Sequence, residues 1–396
     1  MLSPAPEWIP ELLELHAEEL ETLWNRRLLA HRSHGWTLGA RAKLDARIAA
    51  HSDALVLAAD EARALVDAQL ASGELPATLA AAFVLLSRED PAGAERAHEA
   101  FEAAEGLTLE AFRQAFHHAA PERHRTVLDR LAASGSDAHA SVALQALAFH
   151  GVAAQYDRVV ALTRSRDPAL RAQAWNTVTF LASASPTSPV YAGLRAALGA
   201  SFTKGQADPD PAARGALHEA AAWTRQGWLL PRLRSMALEA QVDDLPQLFL
   251  LAALGTPEDL PTLQALASNP GLPAERIELL GVAGSPVGVP AVLEAMASAD
   301  DALAISAARA FLDITGVDAM RPGRIAVRPS PDADDGLERV RLPDVAAARA
   351  AWQGNPRLSP AAATQVLSLR QLSRRACGPR QVVGSVQELV RLRVGD

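Results

Sequence analysis

LAALGTPEDLPTLQALAS (residues 251–268) and LGVAGSPVGVPAVLEAMAS (residues 280–298) decide the fold, because the second is the first displaced by 29 residues. The displacement lays Gly255-Thr256-Pro257 on Gly284-Ser285-Pro286. Each copy is an apolar segment of helical spacing, a turn built from Gly and Pro, and a second apolar segment. One such hairpin cannot bury its own apolar face, whereas stacked copies share a continuous core. The same unit recurs upstream in SDAHASVALQALAFHG, QYDRVVALTRSRDPALRAQAWNTVTFLA and DPDPAARGALHEAAAW, and downstream in DDALAISAARAFLDITG.

Composition agrees with helices. The 396 residues are 49% hydrophobic but only 5% aromatic, with two Tyr. Strands favour aromatic and β-branched side chains, and an Ala/Leu interior suits closely packed helices, so the class is all-α. A net charge of −8 argues against a global pull toward nucleic acid or anionic lipid. Lys43 and Lys204 are the only lysines among the cations, the rest being arginine. Cys377, alone, excludes an intrachain disulfide framework and a cysteine-rich zinc site. The opening MLSPAPEWIPELLELHAEEL has Pro and Glu where a secretory signal needs a basic region and an apolar core. No apolar run reaches the roughly eighteen residues that span a bilayer. A soluble cytoplasmic protein with no membrane partner and no cofactor is the expectation.

The pattern resembles HEAT-like repeats of the short bacterial type, found also in relatives of the phycobilisome lyases. Two turn-plus-helix signatures carry the resemblance: Asp167-Pro168-Ala169-Leu170-Arg171 and Asp210-Pro211-Ala212-Ala213-Arg214. In such repeats Asp and Arg commonly bond across neighbouring units. Here the same offset from Asp137 reaches Ser141 and from Asp301 reaches Ile305, so a ladder along the array is interrupted. GWTLGARAKLDARIAAHSDALVLAADEA near the start and AARAFLDITGVDAM further on resemble a bacterial HEAT-repeat family of unassigned function, some of whose genes lie near type VI secretion clusters. The expected architecture is an α-solenoid of HEAT-like hairpins: an N-terminal helical region at 1–134, the repeat array at 135–318, a Pro/Asp-rich insert at 319–345 and a helical C-terminal region at 346–396.

NRRLLAHRSHGWTL (residues 25–38) imitates an active site, with His31 and His34 three apart among arginines. It reads instead as the basic end of a first helix, a corner at SHG, and a new start capped by Thr37. The following segment closes at Gly73 as one long helix or two abutting ones. Pro76, Asp90-Pro91, Thr108 and Pro121 mark further starts. In the insert, RIAVR and ERVRL alternate apolar and charged residues around a Pro/Asp/Gly turn, predicting a small β-hairpin or an ordered loop.

Candidate chemistry is sparse. All eleven histidines lie at or before His218. His117 and His118 diverge by about 100° on a helix, so chelation of one ion by both is poor. A metal site from His118, Glu122 and His124 lacks the usual i,i+4 spacing and gives way to a polar hairpin turn. LHEAAAW (217–223) begins like HExxH but has Ala222 where the second His belongs. No nucleotide-binding or nucleophile-elbow motif appears. Cys377 has no neighbouring His, and Asp243-Asp244 and Asp334-Asp335 read as loop acids. Trp175, Trp223 and Trp228 in the array are packing residues or aromatic anchors for a partner. Arg171 and Arg214, with Arg370 and Arg374 on a cationic helix edge, complete the candidate partner-binding set. Arg375 extends that edge, and a solvated or internally paired face is its bland reading.

These features point to a non-enzymatic protein–protein adaptor or scaffold, linked through the resemblance to type VI secretion. The competing class is an enzyme: a HEAT-like DNA glycosylase, which holds a damaged base with aromatic and acidic residues, or a lyase-like ligand-binding protein. The acidic balance of the chain weighs against the first.

Overall fold

In the computed structural model, which describes residues 10–30, 34, 36–152, 155–184, 189–327, 338–354 and 370–371, apolar periodicity becomes helix after helix. Helix α1 (Pro10–Ala30) buries Leu13, Ala17, Leu20, Leu23 and Trp24, with Glu11 in its first turn and Arg27 in its last, as the helix dipole favours. Thr37 caps α2 (Leu38–Ala58), its Oγ1 accepting from the Ala40 N–H at 3.2 Å. The long segment that follows is two helices. The chain turns at Ala59, whose φ of 49° is strained for a residue with a Cβ, and resumes as α3 (Arg63–Ala71).

The chain continues as α4 (Leu75–Ser87), α5 (Pro91–Glu102), α6 (Gly106–Phe116), α7 (Pro121–Ser134), α8 (Asp137–Phe149), α9 (Tyr156–Leu162), α10 (Pro168–Ala184), α11 (Pro189–Gly205) and α12 (Pro211–Trp223). Side-chain caps start several of them: Asp90 Oδ1 accepts from Gly93 N–H at 2.8 Å and Asp210 Oδ1 from Ala213 N–H at 2.8 Å. Thr108 is not a start. Helix α6 begins at Gly106, whose φ of 52° turns the chain, and Thr108 sits inside the first turn.

Up to Thr224 the chain forms one compact unit. In it α4 packs on α6, α6 on α8, α8 on α10 and α10 on α12 as one layer, while α5 meets α7 and α9 meets α11 in a second. Helices α1 and α2 pack on each other and both on α4. The hairpin stack therefore begins well before residue 135 and passes the expected boundary at 134/135 without a break, since α7 and α8 pack closely together. The division falls at Thr224/Arg225 instead.

The second unit runs α13 (Leu229–Leu238), α14 (Leu245–Leu254), α15 (Leu260–Ser268), α16 (Glu278–Ala283), α17 (Val289–Ala295) and α18 (Asp301–Thr315). Helices α14, α16 and α18 stack in sequence, and α13 meets α15 beside them. The insert is a β-hairpin: β1 (Met320–Val327) pairs antiparallel with β2 (Glu338–Pro343), Ile325 opposite Val340, and β2 rests on α18. Helix α19 (Val345–Gly354) follows. Both units are thus all-α stacks of helical hairpins, the small sheet being the exception among the described residues. No helix among them is long and apolar enough to cross a membrane.

Close approach of helices is set by small residues. A Cβ added to Gly281 of α16 would lie 2.8 Å from the Ala310 Cα and 3.0 Å from Asp313 Oδ2, both on α18. At Gly199, inside α11, an added Cβ meets nothing within 4 Å. Gly281→Ala is expected to destabilise by about 1–3 kcal/mol through overpacking. Gly199→Ala should stabilise by roughly 0.5–1 kcal/mol through helix propensity. Thermal melts of the two variants check the opposite signs.

Candidate functional site

The Asp-Pro-x-x-Arg signatures prove to be turn clamps. Arg171 Nη1 donates to the carbonyls of Ser165 and Arg166 at 3.0 and 3.1 Å. Arg214 Nη1 donates to those of Asp208 and Pro209 at 2.6 and 3.0 Å, the same two offsets. Each arginine folds back over the turn preceding its own helix. Arg171 also grips the next hairpin, with Nε and Nη2 on the two oxygens of Asp208 at 2.6 and 2.7 Å. That pairing, in a nearly buried setting, holds the Asp208 carboxyl below its ordinary value.

The expected partner is thereby corrected. The bridging acid is Asp208, two residues before the signature Asp210, because Asp210 is engaged as the cap of α12. A second rung stands in the other unit, where Arg234 Nε donates to Asp259 Oδ1 at 2.7 Å while Asp259 Oδ2 accepts from the Thr256 N–H at 2.8 Å. The copy displaced by 29 residues has Gly288 in place of Asp259, so the ladder stops there.

Arg171 and Arg214 are consequently engaged as structural donors within the chain. Trp175 leaves the candidate set. It is 1% exposed, with its ring 4.8 Å from that of Phe202, so no partner can touch it. Arg370 is paired within the chain to Glu275 at 3.3 Å, next to Gln371, whose Nε2 donates to Asp313 Oδ1 at 3.1 Å. Arg374, Arg375, Cys377, Asp334-Asp335 and His31 lie outside the described residues. Trp223 and Trp228 remain half-buried.

The histidines serve the backbone. Nε2 of His124, His139 and His150 lies 3.0, 3.1 and 2.7 Å from the carbonyls of Leu86, Phe101 and Phe116. Those carbonyls belong to the last two residues of α4, α5 and α6, which have no intrahelical partner to offer. A carbonyl only accepts, so these nitrogens carry the proton. His124 Nδ1 then accepts from His98 Nε2 at 3.0 Å. His118 lies elsewhere, its ring 5.2 Å from that of Trp24, so it does not join His124 and Glu122 in a metal site. No group of three or more metal-ligating side chains occurs among the described residues.

What remains is a pair on α12 that the failed HExxH comparison passed over. Glu219 and Trp223 are separated by one helical turn and share a face. The core positions Ala213, Leu217, Ala220 and Ala221 define the opposite side. Glu219 retains some solvent-accessible surface but lies deep among neighbouring atoms, and desolvation pushes its carboxyl up to about 7. The Trp223 indole N–H is buried and has no acceptor among the described residues. A desolvated carboxylate one turn from a half-buried indole ring offers an acceptor for a cation next to aromatic surface. The sequence signal was the i,i+4 spacing of an acid and an aromatic.

No family model matches the chain, and no curated protein matches it.

Burial sets a pH response. His117 and His118 are held well below their ordinary value by desolvation and then by neighbouring positive charge, and burial lowers His51, His98 and His124 as well. The unfolded chain takes up protons near the ordinary histidine value of about 6.5, and the folded chain resists doing so. Stability is full above that pH and lost as pH falls toward the folded values. The raised carboxyls of Glu21 and Glu219 act oppositely, two groups against five. The melting temperature is expected to fall between pH 7 and 5, and His118→Phe should flatten the fall. A flat wild-type profile would contradict this.

Proposed function

We propose that the protein is a non-enzymatic interaction scaffold or adaptor that holds a protein segment on the first helical layer of the unit ending at Thr224. Glu219 and the half-buried ring of Trp223, both on α12, are its contacts. The observation that carries this reading is the pair itself, a desolvated carboxylate one turn from a half-buried tryptophan. A lysine or arginine of the partner satisfies the carboxylate, and the half-buried Trp223 ring offers aromatic surface to the same segment. Stacked hairpins support it, since they hold such side chains on a rigid surface and require no closing motion. The partner proposed is a component of a secretion-related assembly, a reading motivated by the resemblance of residues 36–62 and 304–318 to a family some of whose genes lie near type VI secretion clusters.

One observation favours a second reading. An aromatic ring and a carboxylate on one helix face also suit an enzyme that binds a cationic base excised from nucleic acid.

Affinity capture with the full chain from its native cell separates the two. Wild type is expected to retain a defined protein. Glu219→Gln should reduce retention at least tenfold without lowering the melting temperature. Retention should be stronger at pH 8 than at pH 6, because only the ionised Glu219 attracts a cation. Absence of any retained protein, with release of alkylated bases by wild type and not by Glu219→Gln, would establish the enzyme instead.

A further inference from the structure

Helix α1 carries apolar side chains on two sides, and the unit uses one of them. Leu13, Ala17, Leu20, Leu23 and Trp24 are buried where α1 packs on α2 and α4. Leu12, Leu15 and Leu29 fall outside that contact and are 48%, 51% and 53% exposed. Successive residues of a helix turn by about 100°. Leu12, Leu15, Glu19, Thr22, Arg26 and Leu29 alternate steps of three and four residues, so they form one line along the helix. Thr22 and Arg26 are exposed too, and Glu19 is half-buried. The other exposed large apolar residues of the described chain stand singly at helix ends or in turns, as Leu57, Leu107 and Leu254 do at the ends of α2, α6 and α14.

Alternating steps of three and four are the spacing of a two-helix seam, where such a line meets its counterpart on another helix. Charge selects the counterpart and its direction. Glu11, Glu14, Glu18, Glu19 and Glu21 crowd the first half of α1, and Arg26 and Arg27 follow in the second. Arg27 is engaged by Asp45 at 2.7 Å. Arg26 has no ion-pair partner among the described residues. A second α1 laid parallel would set Glu19 against Glu19 and Arg26 against Arg26, like charge on like. Laid antiparallel about the midpoint between Glu19 and Thr22, the same line pairs Leu12 with Leu29, Leu15 with Arg26 and Glu19 with Thr22, in both directions. Each Arg26 then comes over Leu15 of the other copy, between Glu11 and Glu18 one turn to either side, both of them exposed. Glu19 keeps Arg47 of its own α2, at 3.0 Å, as its counter-ion.

We propose that this face of α1 is a homodimer interface, in which α1 packs antiparallel on the α1 of a second copy. Leu12 and Leu15 of one copy with Leu29 of the other form an apolar cluster at each end of the contact. Arg26, set between Glu11 and Glu18 of the other copy, fixes register and direction. A helix of 21 residues is about 31 Å long, so one helix pair gives a modest contact that reverses on dilution. The face lies on a different helix from Glu219 and Trp223, and the proposal stands independently of the scaffold reading.

The test is sedimentation velocity of the full chain over a hundredfold range of concentration. Wild type is expected to pass from monomer to dimer across that range. Leu15→Glu should weaken association at least tenfold with unchanged helix content by circular dichroism, because Leu15 is half exposed and supports no core. Arg26→Glu should weaken it at least threefold, and adding Glu11→Arg and Glu18→Arg to that variant should restore it. Leu107→Glu, at an exposed leucine off the face, should leave it unchanged. Direction is read by cross-linking in a Cys377→Ser background. Chains carrying Leu12→Cys should form a disulfide with chains carrying Leu29→Cys, and neither should do so with its own kind. Three results would each overturn the proposal: a monomer throughout the range, a dimer that Leu15→Glu leaves intact, or Leu12→Cys chains that join one another instead of Leu29→Cys chains.

Discussion

A helix apolar on all sides must be covered on all sides, and that constraint governs the rest of this protein. In α8 the ten residues from Ala140 to Phe149 are all buried. Helix α4 is buried at nine positions and α18 at ten, so neither has a solvent face wide enough to end a core. Each is therefore flanked by a neighbour in its own layer and backed by a second layer. Alanine makes this geometry affordable in space, since small side chains let helix axes approach. At Gly281 against Ala310 even a methyl group is too large.

Stacking of this kind multiplies helix ends, and helix ends leave carbonyls without partners. The long polar side chains of the array go to that task. Arg171 and Arg214 cover turn carbonyls at matching offsets, and Arg276 Nη1 does the same for Leu272 and Pro273 at 2.9 and 3.2 Å. His124, His139 and His150 cover the ends of three successive helices. The crowding of histidine into the first part of the chain, which invites a metal hypothesis, has this backbone origin for those three. A cation in a repeat protein is a poor guide to a binding surface until its carbonyl obligations are counted.

The candidate site was only partly legible for the same reason. Trp175 and Trp223 look alike in sequence, each on an apolar helix in the array, yet one lies against Phe202 in the core and the other is half-buried. Which face of a helix meets its neighbour depends on the rotation of the whole stack, and no local pattern records it. Glu219 was visible as a residue but not as a site. Its raised carboxyl comes from desolvation, which packing sets and local sequence does not record.

The sequence by itself determined the class, the hairpin unit, most helix starts and the β-hairpin insert. These depend on period, caps and turn residues, which act within a few positions along the chain. Tertiary structure decided that the stack begins ahead of residue 135 and divides at Thr224. It chose Asp208 over Asp210 as the partner of Arg171, and it desolvated the Glu219 carboxyl. Those outcomes depend on which surfaces meet, and desolvation and pairing across helices have no address in the sequence until the helices are packed.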